Sequence, residues 1–304
     1  MRDAFARGLY TAAKKNPKIF IIVADISPAA SMGPYRQEFP DRFADVGVAE
    51  QTMIGMCAGL ALRGFVPFAY TIATFTIYRP FEQVRDDLCY QCLPVTLVGV
   101  GAGLSYPSLG GTHWAQEDVA LMSALPNMSI IAPCDPLELE DAIAACSVNK
   151  GPTYLRLGKA GEPDLTSGAP EPFQFGKLRK IKDGNGICLV SYGPIMKMTL
   201  DLAAQIEAKE GGKVAVFSAH TLKPLDHERI ASLYREFDRV VVIEEHTRHG
   251  GLGAQMKQIA WDSAARCKLF TYGLKDEYIH LYGSQDDLRR AHGVAPELIL
   301  ADLY

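Results

Sequence analysis

The sequence predicts an α/β fold with two consecutive α/β domains, of which the first is built on a mainly parallel sheet and the second is smaller. Short, continuous apolar runs such as residues 19–26 are typical of strands that are buried on both faces. Helical segments alternate with these runs along the chain, which favours parallel pairing of the strands. A stretch rich in Pro, Gly and charge at residues 166–180 interrupts the alternation once and predicts a linker between the domains.

The first predicted domain, residues 1–165, opens with a helix over residues 4–14, where apolar side chains recur at helical spacing. Asn16 and Pro17 end this helix, and the strand at 19–26 follows. Four more helix-then-strand pairs come next. Their helices are predicted at 50–63, 79–91, 118–124 and 137–146, and their strands at 66–71, 94–101, 128–133 and 153–158.

The second predicted domain, residues 181–304, is a smaller α/β unit with the same alternation. At about 150 residues per domain, a chain of 304 residues is long enough for two domains. The predicted strands lie at 186–193, 213–221, 239–246 and 268–274. The first predicted helix follows the strand at 186–193 and ends at about residue 208, and the others lie at 226–236 and 252–265.

Composition and charge exclude several classes of protein. The chain has 31 Lys and Arg against 35 Asp and Glu, so its formal net charge of −4 argues against a nucleic-acid or anionic-membrane surface as the main partner. No apolar run approaches the ~20 residues that span a bilayer, and the start MRDAFARG is not typical of a signal peptide. Seven cysteines are too few, and odd in number, for a disulfide framework, so we expect a reducing cytoplasmic location.

Glu50 is the first candidate functional residue. It follows the apolar letters VGVA and opens a helix whose next turns are apolar. A carboxylate at a helix start is stabilised by the free backbone amides there, so Glu50 fits an ordinary helix-start acid. It also fits a partly buried carboxylate that hydrogen-bonds a ligand nitrogen and shifts its protonation.

Three aromatic side chains follow at helical spacing: Phe75, Tyr78 and Phe81. Residues three apart lie along one side of a helical segment, so the three rings form either an aromatic stripe of the core or a stacking wall for a flat heteroaromatic ligand. Pro80 predicts that the regular helix begins there.

His113 lies in a loop rich in Gly, Ser and Pro after the strand at 94–101. Loops at the carboxyl end of parallel strands are where α/β proteins place their sites, so His113 is either a structural histidine or a donor and acid/base group that faces a ligand. The glycines of this loop do not form a dinucleotide or phosphate-binding fingerprint.

Two other motifs carry less information. Cys89 and Cys92 form a single CxxC without a second pair, so buried thiols are a simpler interpretation than a metal or redox site. Arg156 and Lys159 follow the last strand of the first domain, and they fit either solvated strand-end cations or an anion site.

Several segments in order resemble the C-terminal half of transketolase, and the matching half of deoxyxylulose phosphate synthase. They are FPDRFADVGVAEQ, ATF, GGTHWAQEDVALMSALPNMSIIAPCDPLE, GPTYLRLGK and EEHTRHGGLG. The resemblance covers nearly the whole chain. It implies a thiamine diphosphate enzyme, with a pyrimidine-binding domain followed by a transketolase C-terminal-like domain.

The same resemblance implies a missing part. The family's diphosphate-binding domain carries a GDG motif that holds Mg²⁺ and the diphosphate, and no GDG occurs in this sequence. The chain therefore looks like one subunit of a split transketolase. We expect a partner subunit with the diphosphate-binding domain, and a homodimer of this chain within an α₂β₂ heterotetramer.

Site roles carry over from the family to matching positions. Glu50 matches the glutamate that hydrogen-bonds the pyrimidine ring, and His113 matches the histidine that meets the donor ketose. Phe75 matches the pyrimidine-stacking aromatic, with Tyr78 and Phe81 in neighbouring pocket positions. The remaining matches are Asp25 and Ile26 at the cofactor edge, and Arg156, Lys159 and Arg2 at the substrate phosphate.

The sequence also departs from the family. Leu109 stands where transketolases carry an acid that contacts substrate hydroxyls, Gly101 replaces a phosphate-site histidine, and Ala29 replaces a serine, although Ser27 and Ser31 lie close. The phosphate pocket is half retained, which favours an unphosphorylated or nucleotide-linked sugar acceptor.

The expected activity is transfer of a two-carbon ketol unit from a ketose to an aldose, with sugars or sugar phosphates as substrates. Two alternatives stay open. One is the beta subunit of the decarboxylating component of a 2-oxo acid dehydrogenase, and the other is a non-catalytic scaffold subunit.

Overall fold

The computed structural model describes residues 1–26 and 32–304, which form two sheets. The strands are β1 (Ile19–Val23), β2 (Phe43–Asp45), β3 (Val66–Ile72), β4 (Thr96–Val100), β5 (Ser129–Ile131), β6 (Thr153–Leu157), β7 (Arg179–Lys182), β8 (Ile187–Ser191), β9 (Ala215–Ser218), β10 (Thr221–Lys223), β11 (Arg239–Thr247) and β12 (Lys268–Leu274). In the described part of the chain the first sheet has seven strands in the order β10-β5-β6-β4-β3-β1-β2, and the second has five in the order β12-β11-β8-β9-β7.

Parallel pairing dominates both sheets. Only the edge strands β10 and β7 pair antiparallel among the described strands. The central strands β3 and β4 are almost wholly apolar and buried, as expected for a sheet that helices cover on both faces. The predicted α/β class, with a mainly parallel sheet in the first domain, is confirmed, and the sheet of the second domain is mainly parallel as well.

Helices cover the sheets on both faces. They are α1 (Arg2–Lys15), α2 (Gly33–Glu38), α3 (Glu50–Leu62), α4 (Ala73–Ile77), α5 (Phe81–Gln83), α6 (Asp118–Ala124), α7 (Pro136–Val148), α8 (Met196–Glu210), α9 (His227–Glu236), α10 (Leu252–Asp262), α11 (Gln285–Ala291) and α12 (Pro296–Leu303). The segment predicted as one helix over 79–91 is α5 followed by a π-helical stretch, Val84–Tyr90. No described helix is both long enough and apolar enough to cross a lipid bilayer.

The carboxyl ends of the parallel strands place the candidate residues along one edge of the first sheet. Asp25 follows β1, Phe75 lies in α4 just after β3, and the loop that contains His113 follows β4. Because parallel strands all end at the same edge, segments that are far apart in sequence converge there.

The two domains are joined by more than a linker. By sequence β10 belongs to the second domain, yet it pairs with β5 at the edge of the first sheet. The strand predicted at 213–221 ends at Ser218 as β9, and Thr221 already begins β10, which lies in the other sheet. An apolar cluster runs continuously from Ile22 and Met53 in the first domain to Val242 and Met256 in the second.

Asp135 binds residues 165 and 166, where the segment between the two domains begins. One carboxylate oxygen caps α7 by accepting from the backbone N–H of Glu138 at 2.7 Å. The other accepts from the backbone N–H groups of Leu165 and Thr166 and from the Thr166 hydroxyl, at 2.7–2.8 Å. Asp135 is fully buried, so these donors have no solvent to replace it.

We predict that Asp135→Ala lowers the free energy of unfolding by about 3 kcal/mol, because it removes a helix cap and leaves buried donors without an acceptor. Chemical denaturation of the full chain measures the change. Asp141→Ala is the matched control, since Asp141 is an exposed acid on the same helix. Equal denaturation midpoints for the two variants would contradict the prediction.

Candidate active site

Glu50 is the first residue of α3 and is 5% exposed. Its position at a helix start is electrostatically favourable, as the sequence indicated. Its side chain, however, turns to another partner, because its Oε1 accepts a hydrogen bond from Arg79 Nη1 at 2.9 Å. Glu50 is therefore a nearly buried carboxylate whose described ion pair is with one half-exposed arginine.

Arg79 also covers the ring of Phe75. Its guanidinium carbon lies 4.3 Å from the Phe75 ring centroid, a cation–π distance. Arg79 thus connects the carboxylate that follows β2 to the aromatic side chain that follows β3. A planar group that donates N–H bonds fits between Glu50 and Phe75, because the guanidinium of Arg79 already does so.

His113 completes this group from the loop after β4. Its imidazole packs edge-on against the Phe75 ring, with centroids 5.2 Å apart, and its Nδ1 lies 2.9 Å from the Thr112 hydroxyl. Partial burial, together with the nearby positive charge of Arg79, lowers the pKa of His113 below its usual value. A histidine with a lowered pKa is neutral near pH 7, so its ring can donate one hydrogen bond and accept another.

The three predicted aromatic residues do not form one wall. Phe75 is a partly buried side chain packed against the apolar cluster on one face of the first sheet, and Phe81 packs against the cluster on the other face. Tyr78 donates its hydroxyl to Glu117 at 2.7 Å. Burial and the negative charges of Asp118 and Glu117 raise the pKa of Tyr78. Of the three rings, Phe75 is the one in contact with His113.

Glu117 links the two domains beside this group. Its second carboxylate oxygen accepts from the hydroxyl of Tyr278, in the segment after β12, at 3.1 Å. Tyr278 also lies close to the loop of His113, since a Cβ on Gly111 would be 3.6 Å from its ring. The second domain therefore reaches the candidate site, which the sequence did not indicate.

Asp25 and Ile26 lie at the carboxyl end of β1. Asp25 is exposed, has a positive φ of 62° and donates its backbone N–H to Asp45 Oδ1 at 3.1 Å. Left-handed backbone is uncommon for a residue other than glycine, and it often accompanies functional sites. Ile26 packs against the core. The family departure noted at Ala29, and the neighbouring Ser27 and Ser31, lie outside the described residues.

Arg156, the first of the three predicted phosphate contacts, is buried where the two domains meet. Arg156 is 2% exposed, and its Nε donates to Asp118 Oδ2 at 2.8 Å. Its Nη2 donates to the backbone carbonyl of Glu245 at 3.1 Å. Its charge is matched by Asp118 inside the interface between the domains, and its contact with substrate stays a prediction.

Lys159 and Arg2, the other two predicted phosphate contacts, flank Tyr106. Lys159 is exposed, and its ammonium lies 4.9 Å from the Tyr106 ring centroid. Burial raises the pKa of Tyr106, and the positive charge of nearby Arg2 opposes this rise. Arg2 Nε is buried without a described hydrogen-bond partner. The Tyr106 ring in turn packs edge-on against His113, with centroids 5.9 Å apart. These two cations therefore lie beside the His113 group, separated from it by one tyrosine.

Tyr106 explains why Gly101 is a glycine. Gly101 has a φ of 73°, and a Cβ there would lie 2.0 Å from Tyr106 Cε2. The ring of Tyr106 thus occupies the space next to residue 101. Sequence reasoning missed Tyr106, Arg79 and Glu117, because each acquires its role through contacts with residues distant in sequence.

The CxxC motif is divided by the fold. Cys89 is buried and Cys92 is exposed. Burial raises the pKa of the Cys89 thiol to about 11, which disfavours the reactive thiolate. Among the residues that the structure describes, no group of three or more His, Cys, Asp or Glu side chains is arranged to hold a metal ion.

Comparison with known protein families identifies the chain. Residues 1–161 match the family profile described as the transketolase pyrimidine binding domain, and residues 176–299 match the transketolase C-terminal domain. The chain belongs to the transketolase family. Membership of this family implies dependence on thiamine diphosphate, and the resemblance stated from the sequence motifs is confirmed.

Individual relatives support the same family. A protein named as a subunit of apulose-4-phosphate transketolase, from Actinobacillus succinogenes, is 32% identical over 95% of this chain and 93% of that protein. A 1-deoxy-D-xylulose-5-phosphate synthase from Oleidesulfovibrio alaskensis is 32% identical over 96% of this chain. The chain spans 46% of that synthase, about half its length.

Solved structures agree with the fold. A structure described as a split gene transketolase, inactive beta4 tetramer, superposes with a TM-score of 0.88 at 31% identity, covering 99% of this chain and 95% of that one. Transketolase from Campylobacter jejuni superposes with a TM-score of 0.82 at 17% identity, covering 99% of this chain and 46% of that one. The second likeness concerns the fold alone.

We predict that Arg79→Gln raises the pKa of His113, because it removes a nearby positive charge while the burial of the imidazole remains. NMR titration of the His113 ring protons in the full chain measures this shift. Arg85→Gln is the control, because Arg85 is exposed and pairs with Asp86. The prediction fails if the two variants titrate His113 alike.

Proposed function

We propose that this chain is one subunit of a two-component, thiamine diphosphate-dependent transketolase that transfers a two-carbon ketol unit from a ketose to an aldose. The observation that carries the proposal is the convergence of Glu50, Phe75 and His113 around a planar N–H-donating cation. The Actinobacillus succinogenes relative, which is named as one subunit of a transketolase and which this chain matches along 93% of its length, supports the two-component form.

The residues present fit the pyrimidine half of the cofactor. The guanidinium of Arg79 is a planar, positively charged group that donates to Glu50 and lies over the Phe75 ring. A protonated aminopyrimidine offers the same features: a flat ring and N–H donors at its edge. Glu50 would accept from the ring nitrogen and Phe75 would stack on the ring, so Arg79 must leave both residues when the ring binds.

Each residue of the site has a distinct task in this proposal. The bound cofactor supplies the electron sink for breaking the C2–C3 bond of the ketose. Glu50, almost excluded from water, holds a fixed negative charge where electrostatic stabilisation is strong. His113, neutral at pH 7, would donate to the ketose carbonyl or hydroxyl oxygen and orient it.

The diphosphate group and Mg²⁺ would be held mainly by the partner subunit, since the GDG motif that binds them in the family is absent from this sequence. The active site is then shared between chains, so activity requires association. We propose an α₂β₂ heterotetramer containing a homodimer of this chain. The neighbour described as an inactive beta4 tetramer is consistent with a requirement for a second type of subunit.

Seven cysteines without a described disulfide favour a reducing cytoplasmic location.

The acceptor is proposed to be an unphosphorylated or nucleotide-linked sugar. Of the three cations expected at a phosphate, Arg156 is neutralised by Asp118, which leaves Lys159 and Arg2. The Tyr106 ring takes up the space beside Gly101, where the family carries a phosphate-site histidine. Both observations favour weakened phosphate recognition.

Glu50→Gln in the reconstituted two-subunit enzyme is expected to lower kcat at least about 100-fold, because the neutral amide cannot stabilise a positive charge on the ring. Glu82→Gln, at an exposed acid in α5, is the control and should retain the wild-type rate. Ketol transfer by the pair, followed by product analysis with a ketose and with pyruvate, provides the measurement. A Glu50→Gln enzyme with the wild-type rate would overturn the proposal, and turnover of pyruvate alone would favour the 2-oxo acid dehydrogenase alternative.

Phosphorylated and free aldose acceptors are expected to be used with kcat/KM values that differ by less than about 10-fold, since one of the expected phosphate contacts is buried in an ion pair. Steady-state kinetics of the reconstituted pair with matched sugar and sugar phosphate donors and acceptors tests this expectation. A preference for the phosphate esters above about 100-fold would remove the substrate proposal and leave the transketolase proposal intact.

A further inference from the structure

The carboxyl end of β11, in the second domain, extends to the loop that carries His113. Three consecutive residues there, Glu245, His246 and Thr247, each bind a different point of the segment 104–120. Glu245 accepts from the backbone N–H of Leu104, His246 Nε2 accepts from the backbone N–H of Ala120 at 3.2 Å, and the backbone N–H of Thr247 donates to the Gln116 carbonyl at 2.8 Å.

These contacts lie at the base of the His113 loop. Gly103 and Ala115 exchange two backbone hydrogen bonds, of 3.2 and 3.0 Å, and so close the loop between them. Leu104 directly follows Gly103, and Gln116 directly follows Ala115. The second domain therefore holds both ends of the segment that places His113 beside Phe75.

Glu245 is itself held firmly. The Arg289 guanidinium donates to Glu245 Oε2 through Nε at 2.7 Å and through Nη2, and Gln285 Nε2 donates to Oε1 at 2.8 Å. Both donors lie on α11, and Glu245 is 4% exposed. Gly103 lets the loop approach so closely, because a Cβ there would lie 2.7 Å from Glu245 Oε1.

We propose that Glu245 is a positioning residue for His113: anchored by Arg289 and Gln285, it fixes the base of the loop and thereby sets the place of the imidazole in the active site. The catalytic importance of this placement rests on the function proposed above. The contribution of the second domain to the site is then to shape this loop, in addition to packing against the first domain.

The neighbouring carboxylate provides a comparison inside the same strand. Glu244 is 2% exposed, and it accepts from the backbone N–H groups of Leu252 and Gly253 at 2.8 Å and from the Tyr192 hydroxyl at 3.0 Å. All of these partners belong to the second domain. Glu244 and Glu245 are thus similarly buried acids. The Glu244 side chain binds groups of its own domain, whereas the Glu245 side chain also binds the loop of His113 in the first domain.

The experiment compares Glu245→Ala, Glu245→Gln and Glu244→Gln in the full chain. Amide hydrogen exchange reports on residues 104–117, and NMR reports on the His113 ring. For Glu245→Ala we expect exchange in this loop to accelerate at least about 10-fold, with the rest of the first domain unchanged. The His113 pKa should rise toward its ordinary value as the imidazole becomes more exposed.

The controls separate positioning from general destabilisation. Glu245→Gln keeps an acceptor oxygen for Leu104 and should restore part of the loop protection. Glu244→Gln should lower the unfolding midpoint without changing exchange in the loop or the titration of His113. Gln285→Ala, which removes one donor from Glu245, gives a smaller effect of the same kind and replaces Glu245→Ala if that variant does not fold.

Unchanged loop exchange and an unchanged His113 titration in Glu245→Ala, or in Gln285→Ala when it takes that variant's place, would overturn the proposal. An equal effect of Glu244→Gln on the loop would also overturn it. These measurements need neither cofactor nor partner, so they are independent of whether the proposed function holds. In an active reconstituted pair, Glu245→Ala is expected to lower kcat more than it changes KM, since the loop orients a group that acts on the bound ketose.

Discussion

A buried ion pair between Arg156 and Asp118 lies where the two domains meet, and much of the surrounding structure depends on it. Asp118 is fully buried and also accepts from the Tyr154 hydroxyl at 2.9 Å. Arg156 in turn donates to the carbonyl of Glu245 on the other domain. Removing one member of such a pair costs about 3–5 kcal/mol, because the remaining charge is left uncompensated in a medium of low dielectric. The pair therefore couples the end of β6, the start of α6 and the end of β11.

The arrangement of the site follows from this coupling. The first domain supplies Glu50, Phe75 and His113 from three segments that end at one edge of its sheet. The second domain fixes the loop of His113 through β11 and contacts Glu117 through Tyr278. Within this frame Glu50 and Glu245 are buried, whereas Arg79, which covers the Phe75 ring, is half-exposed.

The sequence was sufficient to predict the fold class, because continuous apolar strands and alternating helices have few other arrangements. It could not predict that β10 joins the first sheet, since the three residues Thr221–Lys223 carry no signal for one sheet over another. Family motifs, and not local spacing, single out Glu50, Phe75 and His113 as a group, and the structure places these three side chains close together. The burial of Arg156 could not be predicted, because a cation after a strand is usually solvated and its ion pair is with Asp118, 38 positions earlier in the chain.

The placement of β10 also bears on how this polypeptide can be divided. β10 covers the outer edge of β5, and Lys223 Nζ donates to the carbonyl oxygens of Ser123 and Leu125 at 2.8 and 2.6 Å. A cut in the connecting segment would take this covering strand away with the other fragment and leave an open row of backbone donors and acceptors. Open sheet edges recruit strands from other molecules and promote aggregation. A first-domain fragment made without the second domain is therefore expected to self-associate through the exposed edge of β5.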